Sequence, residues 1–180
     1  RERQDELLNT NQKLGLKYFE DIEKRIPRAE INEYSDILAD VFSKLKHTGS
    51  RFEIVGSYRR GAMDSGDIDI IITNDQNDSS IFNKFIKALQ DRGIIIEILT
   101  KGKTKSMAIG KLPGQTPRRI DFMYASPAEY AFAILYFTGS KAFNVVMRQR
   151  ALDLGYSMNE HGLYKMAGKK KGARLDILFP

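Results

Sequence analysis

The sequence predicts an α+β fold, with a mixed β-sheet flanked by helices and a small C-terminal α/β lobe behind it. Two segments, 67–72 and 118–124, alternate between apolar and charged residues, as strands with one buried face do. Stretches around them have apolar residues at helical spacing. Two further helical stretches follow residue 127 and are separated by a Thr-Gly-Ser break at 138–140. We therefore expect one lobe over 27–126 and a second over 127–180.

The first dozen residues are polar and give little structural signal. Pro27 suits the first turn of a helix, and the apolar residues behind it recur at helical spacing up to Gly49. We expect that helix to face the core with Ile31, Tyr34, Leu38, Val41, Phe42 and Leu45. A strand at 51–55 then leads into a Gly-Ser turn at 56–57.

The β-branched run after Gly66 predicts the next strand, and a polar loop at 74–78 ends it. A helix over 81–93, a hairpin formed by 94–99 and 106–112, and the strand at 118–124 complete the first lobe. In the second lobe, helices are predicted over 129–137 and 141–154, with Ser140 as the cap of the latter.

The helix over 141–154 has two faces of different character. We expect its apolar face to lie against the core, and its polar face to be open to solvent or a ligand. The apolar face contains Phe143, Val146, Met147 and Leu154, and the polar face contains Lys141, Asn144 and Arg148. The Lys-Lys-Lys run at 169–171 is interpreted as a solvated loop.

Charge and composition restrict the partners. The 180 residues include 29 Lys and Arg against 23 Asp and Glu, which gives a formal charge of +6. Such an excess favours an anionic polymer and predicts salt-sensitive binding. No cysteine is present, which excludes disulfides and thiolate metal sites. We expect no membrane association, because no long apolar run occurs.

Carboxylates on the two alternating strands are the strongest chemical signal. Asp67 and Asp69 stand at positions i and i+2 and so share one face of their strand. Asp121 joins them if the strand at 118–124 lies alongside. Neighbouring carboxylates repel each other unless a cation lies between them, and oxygen ligands of this kind suit Mg²⁺. The alternative is a charged edge strand that discourages aggregation, but the Gly-Ser loop before these residues favours the metal site.

Several motifs in fixed order resemble those of the X-family DNA polymerases. The elements around Gly56 and Asp67 are shared with the wider nucleotidyltransferase superfamily, whereas the later ones are narrower. The matching segments are Gly-Leu-Lys-Tyr-Phe at 15–19, Glu-Lys-Arg-Ile-Pro-Arg at 23–28, 56–72, Arg-Arg-Ile-Asp at 118–121, Leu-Tyr-Phe-Thr-Gly-Ser at 135–140, Phe143-Asn144, Met147-Arg148 and Tyr-Ser-Met-Asn-Glu at 156–160.

The resemblance implies a nucleotidyltransferase-type palm at 27–126 and a nucleotide-selecting lobe at 127–180, which the family normally continues further. It implies that 1–26 is a remnant of a helical DNA-binding region, with no counterpart of the family's lyase domain. It further implies that Asp67 and Asp69 hold two Mg²⁺ ions, for which Mn²⁺ is a substitute, and that Asp121 holds the catalytic ion near the primer 3′-hydroxyl.

The same resemblance implies the remaining site. The triphosphate would be bound by Arg25, Gly56, Ser57, Arg60 and Gly66. The sugar and base of the incoming nucleotide would contact Tyr136, Phe137, Gly139 and Asn144. The template and primer strands, and the closed state, would involve Arg119, Arg148, Asn159 and Glu160. Met123, Lys141 and His161 depart from the family pattern, so closure and fidelity are expected to differ.

The leading hypothesis is a template-directed DNA polymerase that fills short gaps in DNA repair. It implies DNA and deoxynucleoside triphosphates as partners, a monomer, and an intracellular location, which is the nucleus if the source is eukaryotic and otherwise the cytoplasm or a viral replication site. Two alternatives stay open: template-independent terminal transfer, and a DNA-binding module of weak catalysis. The compact region 94–119 favours templated synthesis, because it has no long insertion to block a template strand.

Overall fold

A five-stranded mixed sheet forms the centre of the protein, for which a computed structural model describes residues 7–177. Its strand order is β2-β4-β7-β6-β5. The β4 and β7 strands are parallel neighbours, and every other pair in this sheet is antiparallel. The strands are β2 (Ser50–Ile54), β4 (Ile68–Asn74), β5 (Ile95–Lys101), β6 (Lys105–Gly110) and β7 (Arg118–Tyr124), and a separate two-stranded ladder pairs β1 (Ile26–Pro27) with β3 (Asp64–Ser65).

Six helices with bounds inside residues 7–177 surround this sheet or begin the second lobe. Asn9 and Gln12 form a capping box at the start of the helix Thr10–Ile22. The helices are α1 (Thr10–Ile22), α2 (Arg28–Lys44), the single turn α3 (Gly56–Arg59), α4 (Ser80–Asp91), α5 (Pro127–Thr138) and α6 (Lys141–Asp153). Each helix and strand expected over residues 27–154 is therefore present, with ends shifted by a few residues.

The main core lies between the sheet and the helices α2 and α4. The alternating residues of β4 and β7 face it, because a strand places every second side chain on one face. Its fully buried members include Ile68, Ile70, Ile72, Ile120, Phe122, Tyr34 and Phe85. This arrangement confirms the predicted mixed α+β class and the expected inward face of both strands.

The opposite face of β4 is also buried toward its carboxyl end, which the alternating pattern did not predict. Ile71 is only 1% exposed and packs in a second cluster with Val55, Ala125, Ala133 and Ile134. Two of these residues belong to α5, so the first helix of the second lobe covers this part of the sheet. On β4, the face that carries the carboxylate is thus open at Asp69 and covered beyond it.

The second lobe adds a three-stranded antiparallel sheet in the order β10-β9-β8. The strands are β8 (Tyr156–Asn159), β9 (Gly162–Ala167) and β10 (Lys170–Arg174). The expectation of a solvated loop at 169–171 was wrong in part, because Lys170 and Lys171 belong to β10. All three lysines are nevertheless exposed.

The expectation that the apolar side of α6 faces the core was also wrong. Phe143, Val146 and Leu154 are 48%, 69% and 58% exposed, and Ala151 is the residue of this helix that is buried. The polar side is drawn inward at Asn144, whose Nδ2 donates to the Tyr136 carbonyl oxygen at 2.8 Å. The predicted cap is confirmed, since Ser140 Oγ accepts from the Phe143 amide at 3.2 Å.

Candidate active site

Three carboxylates meet at the edge where β4 and β7 run side by side. The parallel register pairs Asp69 with Asp121 directly, and Asp67 precedes the first residue of β4. One oxygen from each of the three carboxylates lies within 4.8 Å of the others. The register brings Asp69 and Asp121 together, because directly opposed residues of neighbouring strands point to the same side of a sheet.

Burial and mutual repulsion disfavour ionisation of Asp69 and Asp67. Partial burial, followed by the negative charges of Asp67 and Asp121, raises the pKa of Asp69 to about 7. The pKa of Asp67 is raised for the same two reasons, burial first and Asp121 second. A bound cation would reverse this cost, because it stabilises the ionised form of each ligand.

Arg119 places a positive charge next to the three carboxylates. Its Nε and Nη2 donate to the two carboxylate oxygens of Asp121, both at 3.0 Å, in a bidentate pair. The hydrogen bonds to Asp121 raise the pKa of Arg119. Arg119 therefore lies beside the carboxylates and orients Asp121. Its contact with the template or primer strand stays a prediction.

The turn at α3 lies directly against the carboxylates. Gly56 has a φ of +65°, and a Cβ atom there would lie 3.0 Å from Oδ2 of Asp69. A residue with a side chain would therefore displace this carboxylate, as well as adopt an unfavourable backbone conformation. Ser57 follows, and its hydroxyl donates to the buried Ser65 hydroxyl at 2.6 Å.

Arg25 reaches the same region from the other side. Its Nε and Nη2 donate to Oδ1 of Asp64 at 3.0 and 2.7 Å, and its Nη1 would lie 3.3 Å from a Cβ atom at Gly66. Its positive charge lowers the pKa of Asp67 slightly, against the larger effects that raise it. Arg25 and Gly66 are thus neighbours at the edge of the carboxylate cluster.

Arg60 points to the carboxyl end of α5 and so joins the two lobes. Its Nη1 donates to the Thr138 carbonyl oxygen at 2.6 Å. Gly139 follows with a φ of +69°, and a Cβ atom there would lie 3.2 Å from the same Nη1. A cation at a helix carboxyl end is favourable because the final carbonyl groups carry partial negative charge.

The comparisons with known proteins agree with this arrangement. The family model of the DNA polymerase beta palm matches residues 25–127, and that of the DNA polymerase beta thumb matches 133–177. The chain belongs to the X family of DNA polymerases.

Similar relatives come from animals and plants. The chain is 34% identical to DNA polymerase lambda of Rattus norvegicus over 87% of this chain and 29% of the relative. It is 33% identical to DNA polymerase lambda of Arabidopsis thaliana over 94% of this chain and 34% of the relative. It is 24% identical to the DNA-directed DNA/RNA polymerase mu of Homo sapiens, over 89% of this chain and 40% of the relative. The chain therefore spans about a third of the length of these relatives.

The residues expected around the incoming nucleotide lie at the junction of α5 and α6. The rings of Tyr136 and Phe137 meet edge to face, with centroids 5.0 Å apart. The Arg148 guanidinium lies 6.0 Å from the centroid of Tyr136. Asn144 donates to the Tyr136 carbonyl, whereas its Oδ1 is buried and has no partner among the described residues. An unmet buried acceptor is costly, so this atom is a candidate for contact with a ligand.

A cleft of about 360 Å³ connects the carboxylates with the second lobe. Its lining includes Asp69 and Asp121 from the carboxylate cluster, Lys105 from β6 and Phe137 from α5. A second cleft, of about 190 Å³, continues from Lys105 and Phe137 to Glu160. Glu160 therefore faces the space between the lobes.

Asn159 is placed differently from Glu160. Its Oδ1 accepts from the amides of His161 and Gly162 at 2.8 and 3.2 Å, which closes the turn between β8 and β9. This contact is a local turn bond that asparagine makes in many proteins. The structure thus gives Asn159 a definite role in the turn, and its role in a closed state stays a prediction.

Three residues that sequence reasoning did not assign support the site. Arg28 Nη1 donates to the carbonyls of Tyr58 and Ala62, at 2.7 and 3.1 Å, and holds α3 and the loop after it. Asp64 pairs with Arg25, and Ser65 accepts the Ser57 hydroxyl. Arg28 lies in segment 23–28, whose resemblance to the family could have pointed to it; no local pattern marks Asp64 or Ser65.

None of the helices within residues 7–177 is both long and apolar enough to cross a bilayer.

Proposed function

We propose that this chain contains the nucleotidyl-transfer centre of a DNA-directed DNA polymerase, which adds deoxynucleotides to a primer 3′-hydroxyl under the direction of a template. The observation that carries the proposal is the parallel register of β4 and β7, which brings Asp69, Asp121 and Asp67 together. The family membership supports the same chemistry. Short-gap filling in DNA repair is the biological use that we infer.

The donor set of the cluster suits divalent cations, and we propose two Mg²⁺ ions, with Mn²⁺ as a substitute. Three carboxylates within 4.8 Å of one another provide hard oxygen ligands, and burial together with their mutual repulsion raises the pKa of Asp69. When bound, such ions activate the attacking hydroxyl and neutralise charge on the phosphates. Asp67 and Asp69 would bind both ions, and Asp121, oriented by Arg119, would bind the one near the primer.

The other residues bind and orient the nucleotide. Arg60, at the surface between the lobes, would pair with the triphosphate, for which a guanidinium is suited. The α3 turn would contribute Ser57 and the backbone of Gly56, with Gly66 and Arg25 at its edge. The segment 136–139 would pack against the sugar, and Asn144 would contact the base edge.

Templated synthesis is favoured by the short connections around the sheet. β5 ends at Lys101 and β6 begins at Lys105, and β6 ends only eight positions before β7 begins. No long insertion stands in this region to block a template strand. We propose DNA and deoxynucleoside triphosphates as partners of a monomeric, intracellular protein. The division into 27–126 and 127–180, with 1–26 as part of a DNA-binding region, stays a proposal; residues 1–6 and 178–180 of these segments lie outside the described part.

Incorporation of one nucleotide into DNA with a one-nucleotide gap tests this function. The four deoxynucleotides are supplied singly opposite each template base, and again on a primer without a template. We expect incorporation that follows the template base and requires Mg²⁺. Activity that ignores the template would instead assign terminal transfer, and binding of DNA without incorporation would assign a DNA-binding module.

Arg148→Ala sharpens the test, with Arg150→Ala on the same helix as its matched control. If Arg148 contacts the template side of the nascent pair, its loss lowers correct incorporation more than incorrect incorporation. A charged hydrogen bond of about 2 kcal/mol corresponds to a roughly thirtyfold change in the ratio. Arg150→Ala should leave the ratio unchanged. If both variants changed the ratio of correct to incorrect incorporation equally, Arg148 would act only as a general surface charge.

A further inference from the structure

Arg59 lies beside Arg60 in the α3 turn and connects three elements. Its Nε donates to Oε1 of Glu53 in β2 at 2.7 Å. Its Nη1 donates to the Thr138 hydroxyl, at the end of α5, at 3.3 Å. The site described above gives this residue no task. Its guanidinium nevertheless bridges the palm and the helix that leads into the segment 136–139.

Thr138 is held by both arginines at different atoms. Arg59 contacts the hydroxyl, and Arg60 donates to the carbonyl oxygen at 2.6 Å. The same hydroxyl donates to the Ile134 carbonyl at 2.6 Å, one helical turn earlier. The last turn of α5 is therefore fixed at its side chain by Arg59 and at its backbone by Arg60.

The hydrogen bonds from Arg59 and Arg60 to Thr138 would respond differently to a bound triphosphate. This step rests on the proposed function, in which Arg60 turns its donors to phosphate oxygens. The Arg60 bond to the Thr138 carbonyl would then be shared or lost. In the described residues the side-chain hydrogen bonds between α3 and α5 are these two, so the Arg59 contact would be the one that still joins α3 to the end of α5.

We propose that Arg59 is a positioning residue for sugar selection. Through Thr138 it fixes the backbone of 136–139 at the distance where a ribose 2′-hydroxyl is excluded and a deoxyribose fits. Steric exclusion of one oxygen depends on small displacements, because interiors are packed too closely for adjustment. A bridge that sets this distance therefore affects ribonucleotides and deoxynucleotides differently.

The geometry also separates this role from a simple contribution to stability. Arg59 and Glu53 are 42% and 40% exposed at the side chain, and ion pairs so exposed add little to folding stability. The matched pair of Arg92 and Asp40, at 43% and 44%, lies away from the site. A bridge between two partners requires the planar guanidinium, which lysine cannot replace.

The test measures kcat/KM for a deoxynucleotide and the corresponding ribonucleotide on one-nucleotide-gapped DNA, together with Tm. We expect Arg59→Ala and Thr138→Val each to lower the ratio of the two kcat/KM values by about three- to tenfold. The double variant should be no worse than the more affected single variant, because both remove one bridge. Thr138→Ser should retain most of the discrimination, and Arg59→Lys should recover little of it.

Arg92→Ala is the matched control, with a Tm close to that of Arg59→Ala and an unchanged ratio. An unchanged ratio of the two kcat/KM values in Arg59→Ala, or additive losses in the double variant, would overturn the positioning role. The proposed function would still stand if the wild-type protein incorporates nucleotides. A wild-type protein that incorporates no nucleotide would overturn both. Because Thr138→Val leaves Arg59 and Glu53 in place, it provides the answer even if Arg59→Ala folds poorly.

Discussion

The carboxylate edge of β4 and β7 and the junction of α5 and α6 differ in how their polar groups are satisfied. At the carboxylate edge, three acidic groups lie together with one bidentate arginine, and burial opposes the ionisation of Asp67 and Asp69. At the junction, Arg60 and Asn144 both donate to carbonyls at the end of α5. In the first region three carboxylates share one arginine. In the second region the donors are engaged with carbonyl groups of the protein itself.

The difference shows which region must change on binding. Strand register fixes the carboxylates, so a cation can bind without rearrangement of the backbone. The junction must release or share internal hydrogen bonds before its donors reach a nucleotide. We therefore expect substitutions at the carboxylate edge to affect the chemical step, and those at the junction to affect nucleotide use and selection.

The largest effect is expected for Asp121→Asn. Loss of one cluster carboxylate removes a ligand for the cations that activate the reaction, and several kcal/mol of transition-state stabilisation with it. Single-turnover incorporation should fall by about a thousandfold or more, with DNA affinity nearly unchanged. Asp91→Asn, at an exposed carboxylate paired with Lys87, is the control and should retain the wild-type rate. Rapid incorporation by the Asp121 variant would remove this residue from the centre.

The second prediction concerns pH and stability without metal. Because the pKa of Asp69 is raised from 3.8 to about 7, the folded state keeps a proton that the unfolded chain releases between these values. The free energy of unfolding should therefore decrease as pH rises from about 4 to 7, by a few kcal/mol.

Asp69→Asn should flatten this pH dependence and raise Tm at pH 8 in the presence of a chelator. Added Mg²⁺ should raise the wild-type Tm and have little effect on the variant. Thermal denaturation at several pH values measures both. A wild-type protein whose stability increases through this interval would contradict the assignment.

Arg60→Ala tests the junction and should have an intermediate effect. A charge-assisted hydrogen bond is worth roughly 1.5–3 kcal/mol, so kcat/KM for the triphosphate should fall about ten- to a hundredfold. The Kd for gapped DNA, measured by fluorescence anisotropy, should change by less than about threefold. Equal losses in the two measurements would place Arg60 in general DNA binding.

A pair of glycines separates backbone strain from damage to the carboxylates. Gly56 and Gly61 both have positive φ, but only at Gly56 would a Cβ atom meet Asp69. Gly56→Ala and Gly61→Ala should each lower stability by about 1 kcal/mol. Only Gly56→Ala should lower incorporation, by about tenfold or more. Similar activity in the two variants would show that the turn tolerates displacement of Asp69.

The smallest effect is expected on the outer face of α6. Val146 is 69% exposed, so Val146→Ser should change the free energy of unfolding by no more than about 0.5 kcal/mol. Ile71→Val removes a single methyl group from a side chain that is 1% exposed, and should cost about 1 kcal/mol. Urea denaturation compares the two. A larger loss at Val146 would restore the core-facing assignment that the structure contradicts.

Local patterns predicted what depends on neighbours in sequence. The alternation of 67–72 and 118–124 gave the correct strands, the correct inward residues and the shared face of the carboxylates. It could not give the parallel pairing, nor the burial of Ile71 under α5, since both depend on distant elements. The pairing of Arg118 with Glu30, which buries both side chains, lies outside local patterns for the same reason.

The error at α6 has a similar cause. Helical spacing correctly separated its apolar stripe from its polar stripe, but spacing does not say which stripe meets the rest of the protein. The contact between Asn144 and the Tyr136 carbonyl decides this orientation. A side chain expected to face solvent therefore faces inward, and Phe143 and Val146 face outward.

The parallel pairing of β4 with β7 affects how the protein reaches its native state. Asp69 and Asp121 are separated by about fifty residues, which include α4 and the β5–β6 hairpin. Contacts of such separation form after local ones, because a long loop must close before they are made. During refolding, the helical circular dichroism signal should therefore recover before the ability to bind a divalent cation. A cation that binds only when β4 and β7 are paired would slow unfolding more than it speeds folding.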